Sequence, residues 1–599
     1  MHQYTPVTGQ IMTRWADKVN SNNPYPQYPR PQMKRREWRS LNGLWEYSVT
    51  SSMDLIPSKY EGEILVPFCI ESALSGVKKG IKPTDILWYH RMFSIPLEWH
   101  GNRIKINFGA IDWYCIVYVN RVKVGDHKGG YSSFSLDITS YVKWDTHNEI
   151  DISVYDPTNK GSQPRGKQIL KPWAAFYTAV SGIWQSVWLE PVPNLYIDHV
   201  KITPHFDTEE IELSISEIDT RYELKNRPIS LSITQMICEV FDNGHLILSS
   251  SSQSMDSLKI RIPDPKMWSP QSPHLYDLKI SLAIGNTRID TIESYFGLRK
   301  VEVKKDEEGI PKIFLNNEEI FQLGVLDQGY FPDGLYTAPT AEALFYDVNV
   351  AKEIGLNMIR KHVKIEPDIW YHYCDKLGII VWQDMPNAGN ILRGSLSQIL
   401  FGSKWVWETR TLKKNNEVIA QFEWELHQMV DQLYNHPAVI SITIFNEGWG
   451  QHHTVELTKK VKEWDSTRLI NSASGWVDMK VGDMHDIHKY PGPMIPELEL
   501  KRVAVNGEFG GLGLKVLNHT WIGPRYWAYR TYNTQSELEK AYAELIENLI
   551  RLRNKGLTAA IYTQITDVEQ EINGFLTYDR KIWKFSKDFL HKINSQVYY

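Results

Sequence analysis

The sequence predicts a multidomain fold: an N-terminal jelly-roll β-sandwich, an immunoglobulin-like β-sandwich, and a C-terminal (β/α)8 TIM barrel. Three observations carry that prediction. The chain has 599 residues, too many for one hydrophobic core. From residue 36 to residue 299 short stretches alternate apolar and polar side chains, with turns about every 8–12 residues, as sandwiches do. After residue 300 helical periodicity alternates with short, fully apolar runs, the pattern of parallel strands joined by helices.

Residues 1–35 are polar and proline-rich ("NSNNPYPQYPRPQ") and read as an extended leader lying over other surfaces. The period-two stretches include "NRIKINF" (102–108), "HVKITPHF" (199–206), "IELSISEI" (211–218) and "YDLKISLAI" (276–284). Two prolines in "WLEPVPNLYIDHV" (188–200) break that pattern. They place the first sandwich at 36–192, the second at 193–299 and the barrel at 300–599. Within the barrel, residues 341–355 set Leu344, Phe345, Val348, Ala351 and Ile354 on one helical face, with Gly355 as C-cap. A helix over 415–434 precedes "AVISITIFNE". Another, over 536–555, opens on a Ser536/Glu539 capping box and turns Leu538, Tyr542, Leu545, Leu549 and Leu552 inward. It stops at Gly556, before the buried strand "LTAAIYTQI".

Composition narrows the function. A net charge of −5 is small for this length, which argues against nucleic acid or an anionic membrane surface as partner. No apolar run approaches the length of a transmembrane helix. The start, "MHQYTPVTGQ", lacks a basic n-region and an apolar h-region. That fits a cytoplasmic protein, or the mature form of a periplasmic or secreted one. Cys69, Cys115, Cys238 and Cys374 are widely spaced and read as buried free thiols. No HExxH or clustered ligand set points to a metal, and no cofactor is expected. Aromatic residues reach 12%, with 22 tryptophans and 31 tyrosines. Their flat apolar faces with a polar handle suit a carbohydrate partner as well as a β-rich core. Self-association into a homo-oligomer stays open.

The chemistry-bearing stretch is "ISITIFNEGWGQ" (440–451), where a buried strand ends in Asn446 and Glu447. A turn there needs only Gly448. Barrel chemistry sits at the C-terminal ends of strands, so Glu447 is expected to face a site. "VAVNGEFGGLG" (503–513) repeats the pattern with Glu508. Two carboxylates at the ends of different strands are what glycoside hydrolysis needs, one as nucleophile and one as acid and then base.

Nearly the whole chain resembles family 2 glycoside hydrolases, the family of β-galactosidases, β-glucuronidases and β-mannosidases. "VSGIWQSVWLE" (180–190) is similar to the strand closing the family's first sandwich, and "LNMIRKHV" (356–363) to its Asn-x-x-Arg-x-x-His segment. "NHPAVISITIFNE" (435–447) resembles its acid/base signature and "GEFGG" (507–511) its nucleophile segment. The resemblance implies Glu447 as general acid/base, Glu508 as nucleophile and Asn446 as the ligand of the sugar 2-hydroxyl. It also implies Tyr490, in "HDIHKYPGP" (485–493), as a hydrogen-bond donor to the nucleophile. Arg360 then lies near the nucleophile, and His362 lines the sugar pocket. Asp384, where some relatives carry glutamate, and His488 join the substrate-binding set. His485 and His488 point to opposite faces of an extended strand, so they cannot share an ion.

Two departures bear on the substrate. "GVLDQGY" (324–330) has Leu326, Asp327 and Gln328 where many relatives have Asn-Arg-His, and "IYTQIT" (561–566) sets Gln564 where many have tryptophan. Both are expected to reshape the pocket floor. Aromatic loops with Trp405, Trp407, Trp521, Tyr526 and Trp527 are expected to stack a leaving group. The expectation is an exo-acting retaining β-glycosidase cutting terminal sugars from oligosaccharides or glycoconjugates, with β-galactoside as first choice. Glucuronide, mannoside, xyloside and arabinoside are the alternatives, and a non-catalytic carbohydrate-binding protein on a hydrolase scaffold is the reading from another class. A neutral sugar is favoured because "QEINGFLTYDRK" (570–581) puts Glu571 and Asn573 where glucuronidases resemble one another in Asn-x-Lys, so the lysine is absent and the Glu571 carboxylate is expected to repel a uronate. A cation from another loop, with Lys489 and Arg525 as candidates, would reopen the choice.

Overall fold

The computed structural model describes residues 4–219, 234–388, 416–521, 523 and 525–599. Trp405 and Trp407 lie outside the described residues. The first sandwich pairs a six-stranded antiparallel sheet, with Ile86–Phe93 and Asn148–Tyr155 at its centre, with a four-stranded sheet built around Arg103–Phe108 and Val187–Val192. The alternate residues Leu87, Tyr89, Ile104, Ile106, Ile150, Ile152 and Val154 fill the space between them. A smaller sandwich follows, with a three-stranded sheet on Leu195–His205 facing a four-stranded sheet on Thr234–Asp242 and Tyr276–Ile284. In both, period-two alternation in sequence becomes one buried and one outer face. All four cysteines are free and buried.

Eight parallel strands form the barrel: β1 (Gln322–Asp327), β2 (Met358–Lys361), β3 (Ile380–Asp384), β4 (Val439–Asn446), β5 (Leu469–Ser474), β6 (Met484–Lys489), β7 (Val503–Gly510) and β8 (Leu557–Thr563). Their hydrogen-bonded order is β5-β4-β3-β2-β1-β8-β7-β6, so the ladder is interrupted between β5 and β6. Side chains bridge that seam, with Asn471 Nδ2 donating to Asp486 Oδ2 at 2.7 Å and Ser474 Oγ 2.7 Å from His488 Nε2. β4 is buried at every position, which is why it reads as a continuous apolar run.

Two helices differ from expectation. In α1 (Ala341–Glu353) Leu344, Val348 and Ala351 are buried, but Phe345 stays exposed at the edge of the stripe and packs edge-on against Tyr373. Helix α2 (Gln535–Arg553) starts one turn residue earlier than Ser536 allows. Thr534 is its N-cap and accepts from Glu537 N, while Glu537 Oε2 accepts from Asn533 N at 3.1 Å. Thr534 rather than Ser536 is therefore the N-cap, because Thr534 has the extended backbone that a cap requires, and Glu537 bonds back to the residue before it. Its buried stripe uses Ile546 between Tyr542 and Leu549, with Leu545 and Leu552 only partly covered.

The N-terminal segment ties all three units together. Trp15 is fully buried in the barrel cluster, Arg30 pairs with Glu190 of the first sandwich, Arg35 pairs with Asp290 of the second, and Gln32 donates to Asn435 O of the barrel.

Candidate active site

The strand ends deliver the polar groups. After β4 the backbone turns left-handed at Glu447 (φ 52°), and Glu447 N donates to Ser474 O at 2.7 Å. That turn swings the carboxylate across the end of β5. Gly475 (φ +102°) makes room for it: a Cβ there would sit 3.2 Å from His488 Nδ1 and 3.3 Å from Glu447 Cγ. Glu508 projects from β7 on the facing side. One ligand-type atom each from Glu447, His488 and Glu508 falls within 4.8 Å of the others.

Arg360, fully buried on β2, organises the floor. Nε donates to both Asp384 oxygens at 3.0 Å, Nη1 to Glu508 Oε1 at 3.2 Å and to Gly507 O at 3.0 Å, and Nη2 to Asn446 Oδ1 at 2.7 Å. With Oδ1 so occupied, the Asn446 amide nitrogen is left buried with no partner among the described residues. Tyr490 donates to Glu508 Oε2 and lies 2.9 Å from Thr563 Oγ1. His488 Nδ1 is 2.9 Å from Glu447 Oε1, and His362 Nδ1 is 2.7 Å from Asp384 Oδ2.

These contacts set the charge states. Burial pushes the Glu508 carboxyl up, but His488 and Arg360 outweigh it and hold it at about 2. Burial lowers His488, and the neighbouring Glu508 and Glu447 more than restore it, so its affinity for a proton is raised. His362 goes the other way, pushed down to about 4 by burial and then by Lys167. The Tyr490 phenol is raised by burial and by Glu508.

Above these groups opens a cleft of about 250 Å3. Of the residues expected at the site, Asn446, Glu447, Glu508, Tyr490 and His362 line it. Arg360, Asp384 and His488 lie beneath and act through the groups they bond. Two expectations are corrected. Gln564 follows the last residue of β8 and turns to donate to Asn573 Oδ1 at 2.8 Å, so Thr563 takes the place at the cleft. Trp521 packs against Tyr578 and the barrel core, while Trp527 and Tyr529 reach the cleft instead. Of the altered β1 segment only Leu326 lines the cleft, since Asp327 is spent on an ion pair with Lys361. Lys489 and Arg525 are exposed and away from it.

The sequence reading missed a whole wall. Lys167 and Trp173–Phe176, from the first sandwich, line the cleft together with Trp449, Trp476 and Glu571. Gln570 Nε2 clamps this loop to the barrel by donating to Ala174 O at 3.1 Å and Phe176 O at 3.0 Å. Phe176 packs on Trp449 with ring centroids 5.6 Å apart.

Three consecutive segments match sequence models of glycosyl hydrolases family 2: its sugar binding domain over 66–193, the family domain over 195–299 and its TIM barrel domain over 312–496. A β-galactosidase of Thermoanaerobacter pseudethanolicus is 26% identical over 53% of this chain and 42% of its own length. A β-glucuronidase of Bacteroides fragilis is 25% identical over 64% of this chain and 54% of its own. The matched stretches thus span about half the length of these relatives. The crystal structure of Ruminococcus gnavus β-glucuronidase superposes with a TM-score of 0.73 at 17% identity, covering 95% of this chain and 99% of that one. In sequence and in domain order, the chain belongs to glycosyl hydrolase family 2.

Proposed function

We propose that the protein is an exo-acting retaining β-glycosidase. The observation that carries this reading is the spacing of Glu447 and Glu508, whose nearest ligand atoms lie within 4.8 Å. Retaining enzymes hold their two carboxyl groups about 5–5.5 Å apart, whereas inverting ones need roughly 6.5–9.5 Å to seat a water.

In this reading Glu508, kept ionised by His488 and Arg360, attacks the anomeric carbon. Glu447 protonates the departing oxygen, and then deprotonates the water that releases the sugar from Glu508. As the Glu508 oxygen becomes an ester its negative charge disappears, and Tyr490 and Arg360 hold the carboxyl in line throughout. The free Asn446 amide is placed to donate to the sugar 2-hydroxyl, a contact that strengthens as the ring gains oxocarbenium character. A terminal β-galactoside is the neutral candidate substrate and a β-glucuronide the anionic one, each named among the relatives.

The test is hydrolysis of a panel of nitrophenyl β-glycosides followed by proton NMR. The β-anomer is expected first. An α-anomer formed first would refute the double displacement, and binding without turnover would favour a carbohydrate-binding protein.

A further inference from the structure

Lys167 is a cationic residue of the cleft that the double displacement does not use. It sits on the loop of the first sandwich that leans over the barrel. Gly166 before it (φ +61°) lets the chain press against the end of β2, where an added Cβ would stand 2.4 Å from Val363 O. Arg165 N and Gly166 N both donate to Asn387 O, at 2.8 and 3.2 Å. The loop is therefore pinned on the barrel side, and the lysine that follows is carried into the cleft.

Its side chain is buried, with the residue only 7% exposed. Among the described residues its ammonium has no hydrogen-bond or ion-pair partner. The nearest ring is Tyr177, with the centroid 5.7 Å away, at the limit of a cation–π contact. The ammonium itself opens into the cleft and stands there without a partner among the described residues, where an anion can reach it. The carboxylates around it are already engaged: Glu508 by Arg360 and Tyr490, and Glu447 by His488. Glu571, the third, accepts from Tyr177 Oη and from Asn573 Nδ2. Lys167 lines the same cleft as Glu508, His362 and Glu571, and its charge is felt by all three.

We propose that Lys167 is a specificity-determining residue that pairs with a carboxylate on the bound sugar, so that the substrate is a terminal β-linked uronic acid. This rests on the glycosidase reading above. It revises the preference for a neutral sugar, which depended on the lysine missing from Glu571 and Asn573 and on repulsion of a uronate by Glu571, a residue that does line the cleft. The cation arrives from the sandwich instead, and a sugar that brings its own anion gives the Lys167 ammonium a partner.

The experiment compares wild type, Lys167→Met and Lys167→Arg on nitrophenyl β-glucuronide and β-galacturonide against the matching glucoside and galactoside. Wild type should prefer a uronide in kcat/KM. Lys167→Met should lose about 10- to 150-fold more on the uronide than on the neutral glycoside, the worth of one charge-assisted hydrogen bond. Lys167→Arg should recover part of that difference. Preference of the wild type for the neutral sugar, or equal loss on both sugars, would overturn the assignment while leaving the glycosidase reading intact. If no glycoside is cleaved at all, that reading fails, and calorimetry still decides the point. Free glucuronate or galacturonate should bind wild type more tightly than glucose or galactose and lose that advantage in Lys167→Met. An equal affinity for charged and neutral sugars would refute the pairing.

Discussion

Replacing Arg360 by methionine isolates the group on which the site's charge balance turns. Arg360 is fully buried and gives five hydrogen bonds of 3.2 Å or shorter to four residues, with His488 Nε2 3.5 Å from Nη1. Its loss leaves Asp384 and Glu508 as buried carboxylates without their shared cation. Breaking a buried pair in this way costs about 3–5 kcal/mol, so the variant should unfold at clearly lower denaturant concentration. The second consequence concerns Glu508 itself. Its carboxyl is held at about 2 because His488 and Arg360 overcome a burial effect that works upward. Removing one of the two cations favours the protonated form, so the value rises. The acid limb of kcat/KM, which reports free-enzyme groups, should move up with it, by a unit or more where each unit is about 1.4 kcal/mol. The sign for stability follows from linkage. A depressed carboxyl stabilises the fold above its unfolded value of about 4.3 and loses that contribution as pH falls towards 2. Wild type should show this acid-side loss and Arg360→Met much less of it. The assay is a pH–rate profile on an activated aryl glycoside, which does not depend on acid assistance. Arg360→Lys, which keeps the charge but not the planar fork, should fall between the two. An acid limb that stays in place in both variants, with less than about 1 kcal/mol of stability lost, would refute the reasoning.

Other outcomes follow from the same geometry. Glu447→Ala should slow glycosides with poor leaving groups far more than activated aryl glycosides, and azide should restore turnover with a β-glycosyl azide as product; equal losses on both substrate kinds would remove Glu447 from the acid role. Trp173 is half exposed at the rim of the cleft beside Phe176 and Trp449, so Trp173→Ala should raise KM about 3- to 10-fold for disaccharides and little for methyl glycosides, as loss of one stacking face would. Trp15→Ala removes a fully buried indole from the barrel cluster and should cost about 3–5 kcal/mol in a denaturant titration; a loss below about 1 kcal/mol would mean that the N-terminal segment only covers the barrel.

The parts of this protein that were legible in sequence are those written in local pattern. β4 is a continuous buried run with Glu447 directly after it, and β7 is one that carries Glu508 near its end, so both strand and site residue announce themselves. The roles of Arg360, Asn446 and Tyr490 came from family resemblance and not from local pattern. Register was less secure at β8: the strand ends at Thr563, and one residue further the side chain of Gln564 points away from the cleft. Trp521 and Trp527 share one aromatic loop, and nothing in its composition says which indole turns inward. Phe345 sat at the margin of a helical stripe, where period alone does not separate core from surface. The sandwich wall was not legible at all. Lys167 and Trp173–Phe176 belong to a different domain from the carboxylates they face, and no periodicity marks a loop that closes another domain's cleft. Only Gly166, Asn387 and Gln570, seen together in space, explain why the loop lies there.

The account stands or falls on whether Glu508 carries a sugar during turnover. A 2-deoxy-2-fluoro β-glycoside with an activated leaving group, in the sugar series that the panel selects, slows release of the covalent intermediate enough to trap it. Mass spectrometry of the intact protein and of its proteolytic peptides should then find one fluorosugar per chain, on the peptide containing Glu508. No adduct under turnover conditions, or an adduct on Glu447, would contradict the account.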